Sequence, residues 1–210
     1  MWNPLTKNNP LNGVNSRVHI EQPLAIAGLQ KSLTRYLSYL YDNSTEIIIL
    51  CIGTDRSTGD SLGPLVGSKL IELGFGWEKV YGTLEKPVHA VNLQETINEI
   101  YLRRQKSFII AIDACLGRSE SVGFISIKEG PLQPGTGVNK ELPAVGDLQI
   151  IGVVNIGGFM EYMVLQNTRL NLVMKMAEII SRGLYFSIQN QELFKLTPEE
   201  LANTKNPVPT

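Results

Sequence analysis

The sequence predicts a three-layer α/β/α sandwich built on a largely parallel sheet. Three observations lead there. Several predicted strands are near-continuous apolar runs, the mark of a sheet covered on both faces. These strands alternate with segments of helical periodicity. The chain has 210 residues, 43% of them hydrophobic, enough for one domain with a sizeable core.

The elements follow in order. Residues 1–20 are polar, with Asn and Pro clusters, and are expected to form a flexible N-terminal arm. Leu29, Leu33, Tyr36, Leu37 and Leu40 recur at helical spacing within 22–42. A strand follows at Ile47-Ile48-Ile49-Leu50-Cys51-Ile52-Gly53, then a Gly-rich loop over 54–63. Pro64 suits the first turn of a helix reaching about residue 73, which Gly74 and Gly76 end. A short strand over 79–84 leads through Pro87 and His89 to a helix over about 92–104. The strand Phe108-Ile109-Ile110-Ala111-Ile112 is closed by Asp113. The strand over 122–127 follows too closely for a helical crossover, which places it antiparallel or at an edge. A Pro/Gly loop over 130–137 precedes a strand over 148–154. After Gly157-Gly158 a long helix is expected over about 159–182. The single α/β domain is expected to span 21–186, with a C-terminal tail over 187–210. The Met- and Leu-rich face of the last helix reads as core, or alternatively as a homo-oligomer interface.

Bulk properties narrow the function. The net charge of −1 offers no basic surface for nucleic acid or an anionic membrane. No run of about twenty apolar residues is present, and the N-terminus lacks a secretory pattern. Cys51 and Cys115 read as reduced core thiols of a cytoplasmic protein.

Asp60 and Asp113 are the candidate catalytic pair. Each follows a buried strand, and open parallel sheets bind ligands at the carboxyl ends of their strands. Two carboxylates there divide acid and base labour, because like charges push their pKa values apart. Taken alone, either acid would read as a helix or turn cap. Other chemistries fit less well. The loop lacks Walker A spacing, and Asp60 stands where a lysine would be needed. Gly59-Asp60-Ser61-Leu62 spells a GDSL-type esterase signature, but neither His19 nor His89 lies where its catalytic histidine belongs. Asp55 reads as a turn residue.

The strand, the Gly-rich loop, Asp60-Ser61-Leu62-Gly63-Pro64 and the later Ala111-Ile112-Asp113-Ala114 resemble the hydrogenase maturation endopeptidases and the spore germination endopeptidase. The match to the latter extends to Pro134-Gly135-Thr136-Gly137-Val138-Asn139-Lys140. Over roughly 25–185, including Asn155-Ile156-Gly157-Gly158-Phe159 and Gln166-Asn167-Thr168-Arg169-Leu170, the chain is most similar to the YyaC family of sporulation proteins, regarded as spore proteases.

The resemblance implies a hydrolase of the maturation-endopeptidase fold. It implies an endopeptidase that uses Asp60 and Asp113 without a cofactor on peptide or protein substrates. Small acid-soluble spore proteins are the candidate substrate by analogy, in the cytoplasm of the sporulating cell or forespore. Gly53, Thr54, Ser61, Gly135, Gly137, Asn139 and Lys140 are the expected substrate-binding residues. In hydrogenase endopeptidases the matching acids bind a metal together with a later histidine. That later segment has no histidine here, so a metal would need Asp60, Asp113 and His89. The alternative functions are a catalytically inactive peptide-binding or regulatory module in sporulation, and a metal-dependent processing peptidase.

Overall fold

Parallel pairing of two apolar strands organises the molecule. The structure, a computed structural model, describes residue 11 and residues 16–42, 45–135 and 142–195. Its elements are β1 (Arg17–His19), α1 (Ala25–Leu40), β2 (Glu46–Cys51), α2 (Leu62–Glu72), β3 (Val80–Tyr81), α3 (Leu93–Arg103), β4 (Ser107–Gly117), β5 (Phe124–Glu129), β6 (Leu148–Ile156), α4 (Glu161–Gln166) and α5 (Leu170–Lys195). A single 3-10 turn at Gly59–Ser61 leads into α2.

Among the described residues the strands form one sheet in the order β1-β5-β6-β4-β2-β3. β6, β4, β2 and β3 run parallel, β5 is antiparallel to β6, and β1 is antiparallel to β5. From β2 the chain crosses to β3 on one side, while from β4 it proceeds to β5 and β6 on the other. The switch point therefore falls between the carboxyl ends of β2 and β4, where such sheets open a crevice.

The alternation within β2 explains the three layers. Ile47, Ile49 and Cys51 face a core shared with α1, α2 and α5. Ile48, Leu50 and Ile52 face a second core with Leu93, Ile97 and Ile100 of α3, closed by Val88, Leu132 and Val145. With both faces covered, neither face can be polar, which is why the strand reads as an unbroken apolar run. Helix α1 buries Leu29, Leu33, Tyr36 and Leu37 on one stripe. Lys69 of α2 pairs with Glu178 of α5 at 2.7 Å, and Arg104 pairs with Glu46 at 2.5 Å. No helix of the described residues is long and apolar enough to cross a membrane.

Several expectations need correction. Arg17–His19, expected in a loose arm, form a strand in which Val18 is buried. β4 does not close at Asp113 but continues to Gly117, because β6 goes on pairing with it through a bulge. The strand expected to be antiparallel or at an edge, β5, is antiparallel to β6, and β1 lies outside it. The strand expected over 79–84 shrinks to Val80–Tyr81. The single helix expected over 159–182 is two helices. At the break the Thr168 hydroxyl donates to the Val164 carbonyl and accepts from the Asn155 amide, so side chains replace the helical ladder. α5 then runs on to Lys195, well into the expected tail. The Met-rich face divides: Met176 is fully buried, whereas Met160, Met163 and Met174 are exposed.

Ile110 lies at the centre of β4 and is fully buried. Ile110→Ala is expected to lower unfolding free energy by about 2–5 kcal/mol, read from urea denaturation with an unchanged slope.

Candidate active site

The crevice at the switch point holds both aspartates. Asp60 arrives from the β2 side. After Ile52 the chain leaves the sheet, and the Thr54 N–H donates to the Asp60 carbonyl at 3.1 Å, folding the loop back on itself. Gly53 makes that closure possible. Its φ is +143°, and a Cβ there would collide with the Asp60 carbonyl. Asp113 arrives from β4, one residue past the point where β2 stops pairing at Cys51 opposite Ile112.

Together they line a cleft of about 280 Å³ with Gly53, Thr54, His89 and Gly135. The expected site residues thus separate into three groups. Asp60, Asp113, Gly53, Thr54 and Gly135 share the cleft, and His89 joins them. Ser61 does not. Its hydroxyl is buried and donates to the Thr58 carbonyl at 2.7 Å, a turn-closing bond that leaves it off the cleft wall. Gly137, Asn139 and Lys140 lie outside the described residues. Asp55 is an exposed turn residue.

Two ionisable groups on the cleft wall escaped the sequence reading. Glu161 opens α4, where its carboxylate accepts the Gly158 N–H at 3.2 Å. The acid just after Gly157-Gly158 is a helix-start signal that the single long helix obscured. Cys115, expected in the core, is half-buried on the cleft wall because β4 outruns its expected end.

The electrostatics are those of paired acids in a poorly solvated place. Burial pushes Asp113 up to about 8, the Ala114 N–H bond to its carboxylate (2.8 Å) opposes this, and the Asp60 charge adds to it. Asp60 is also raised, by burial. Asp113 therefore keeps its proton near neutral pH. Burial first and the Asp113 charge second raise the Cys115 thiol to about 11, against the opposing pull of Lys128. At neutral pH Cys115 is thus a thiol and a poor nucleophile.

His89 has a local structural task. Its N–H donates to Asn92 Oδ1 at 2.8 Å, and its Nδ1 accepts from Val91 at the start of α3. Although His89, Asp60 and Asp113 share the cleft, among the described residues no three His, Cys, Asp or Glu side chains are grouped to hold a metal ion. The side chains as arranged do not fit a three-ligand site.

Because Asp113 binds its proton more tightly folded than unfolded, its contribution to stability is fully present below the unfolded value near 4. That contribution is lost as pH rises toward about 8. Asp113→Asn should flatten this dependence and stabilise the protein at pH 8.5 by on the order of 2 kcal/mol, with little change at pH 4. Urea denaturation at the two pH values measures it.

Comparison with known proteins agrees with this architecture. The chain is 62% identical over 138 residues to a Bacillus subtilis protein described as uncharacterized protein YyaC, covering 66% of this chain and 67% of that one. It shares its fold with the crystal structure of the [NiFe] hydrogenase maturation protease HycI from Thermococcus kodakarensis, with a TM-score of 0.52 and 18% identity. That match covers 74% of this chain and 99% of the other. The family pattern described as "Protein of unknown function (DUF1256)" matches residues 17–183, and the chain belongs to that family.

Proposed function

We propose that this protein is an endopeptidase of sporulating cells that hydrolyses peptide bonds with the Asp60–Asp113 pair and no metal. One observation carries the reading: two carboxyls, Asp60 and Asp113, line one cleft, where burial raises both above the ordinary aspartate range. The maturation-protease fold supports it as architecture.

In the mechanism, ionised Asp60 takes a proton from a water molecule as its oxygen attacks the peptide carbonyl carbon. Protonated Asp113 gives its proton to the carbonyl oxygen as the tetrahedral intermediate forms. Collapse breaks the C–N bond as the proton held by Asp60 passes to the leaving amine and one hydroxyl of the intermediate returns its proton to Asp113, which restores both groups. Each proton transfer contributes roughly 10²–10⁴-fold. The Gly-rich walls at Gly53 and Gly135 let a peptide backbone approach closely. The proposed substrates are small acid-soluble spore proteins, and the proposed compartment is the cytoplasm of the sporulating cell or forespore.

The test is cleavage of a small acid-soluble spore protein by the purified chain, with and without chelator, beside Asp60→Asn and Asp113→Asn. Cleavage should survive chelator and fall by roughly 10²-fold or more in each variant. Loss with chelator would replace the aspartate pair by a metal site. Activity retained in both variants would remove the pair from the chemistry.

The pH profile is a separate check. Asp113 must be protonated to act as acid, so kcat/KM should fall above about pH 8. Asp60 must be ionised, and its raised pKa places the acid limb above the ordinary aspartate value.

A further inference from the structure

At the carboxyl end of β4, on the side away from β6, backbone groups find no partner among the described residues. Along a strand, successive residues turn their N–H and C=O groups to opposite sides. The Ile112 C=O accepts from the Ile52 N–H at 2.7 Å, which fixes the even-numbered residues toward β2. The Gly117 C=O accepts from the Gly157 N–H at 2.8 Å, on the β6 side. Ala114 and Leu116 therefore face the side β2 has vacated. There the chain after Ile52 has turned away, with the Gly53 N–H bonded to the Val88 carbonyl at 2.8 Å.

Outside the β4–β6 ladder, no described residue takes up the Ala114 C=O or the Leu116 N–H and C=O. The Ala114 N–H, which would donate to a continuing neighbour, is held by the Asp113 carboxylate instead. This short edge is half-buried and lines the same cleft as the two aspartates. It is about 10 Å long, three residues of extended chain.

We infer that a substrate polypeptide binds by adding itself as a short strand to this edge, continuing the line of β2 and passing its backbone beside Asp113. The inference rests on the peptidase reading of the cleft. Unpaired N–H and C=O groups in a half-buried slot favour an extended main chain over a compact ligand, because only a main chain offers donors and acceptors in the strand repeat. The Asp113 bond to Ala114 then has a second meaning: an incoming carbonyl that takes the Ala114 N–H releases the carboxyl group toward the substrate. The edge ends with β4 at Gly117. At the carboxyl end of β6 a separate shallow groove holds Ile156, Phe159 and Met163, with Phe159 88% exposed.

The test uses the full chain carrying Asp60→Asn, which binds without cleaving. Its probes are the small acid-soluble spore protein of the cleavage assay and a pooled library of random-sequence peptides. Hydrogen–deuterium exchange at Leu116 should slow about tenfold or more on binding. Leu116→Pro deletes the open-edge N–H while leaving the β6-facing groups in place, and should weaken binding roughly fivefold relative to Leu116→Ala. Should Leu116→Pro fail to fold, the exchange measurement on the unaltered strand decides. Binding or cleavage without protection at Leu116 would overturn strand addition and leave the peptidase reading standing. Absence of both binding and cleavage with every probe would overturn the two together.

Discussion

The parallel register between β2 and β4 sets everything that follows. Glu46 lies opposite Ser107 and Cys51 opposite Ile112, so β2 runs out one residue before Asp113. β6 meanwhile keeps pairing with β4 through Gly117. A strand supported on one side and abandoned on the other leaves a slot in the sheet, and the Gly-rich loop after β2 returns Asp60 to its mouth. Shifting the register by one residue would turn every β2 side chain to the opposite face. It would also move the end of β2 relative to Asp113.

Within that slot two physical effects compete. Burial disfavours a charged carboxyl, and the Ala114 N–H favours one. Burial wins at Asp113, and the charge on Asp60 pushes the same way. The outcome is a proton retained near neutral pH by a group whose free pKa lies about four units lower. The same environment keeps the Cys115 thiol protonated, which makes it a poor nucleophile. In this arrangement His89 anchors the start of α3 through Asn92.

Much of this was legible in the chain itself, where local pattern and tertiary demand coincide. The apolar run of β2, the helical stripe of α1 and the two acids that follow apolar runs are all local signals that the sheet then uses. What was hidden depended on partners distant in sequence. Ala114-Cys115-Leu116-Gly117 has no strong strand signal, and only β6 makes it a strand. That is why Cys115 read as core rather than cleft wall. Val18 joins a strand because β5 offers an open side. The division between α4 and α5 turns on Thr168 being bonded to Asn155, a contact across thirteen residues that periodicity cannot register. Ser61 looked available because its motif did, yet a bond to Thr58 three residues back had already claimed its hydroxyl.

The central claim is that Asp113 holds a proton because it is buried beside Asp60. Its most direct test is a carbon-13 NMR titration of the aspartate carboxyl carbons, with Asp113 assigned by its loss in Asp113→Asn and the titration repeated in Asp60→Asn. The account predicts an Asp113 midpoint near 8 that falls, without reaching the ordinary value near 4, when the Asp60 charge is removed. An Asp113 midpoint near 4 in the unaltered protein would contradict it.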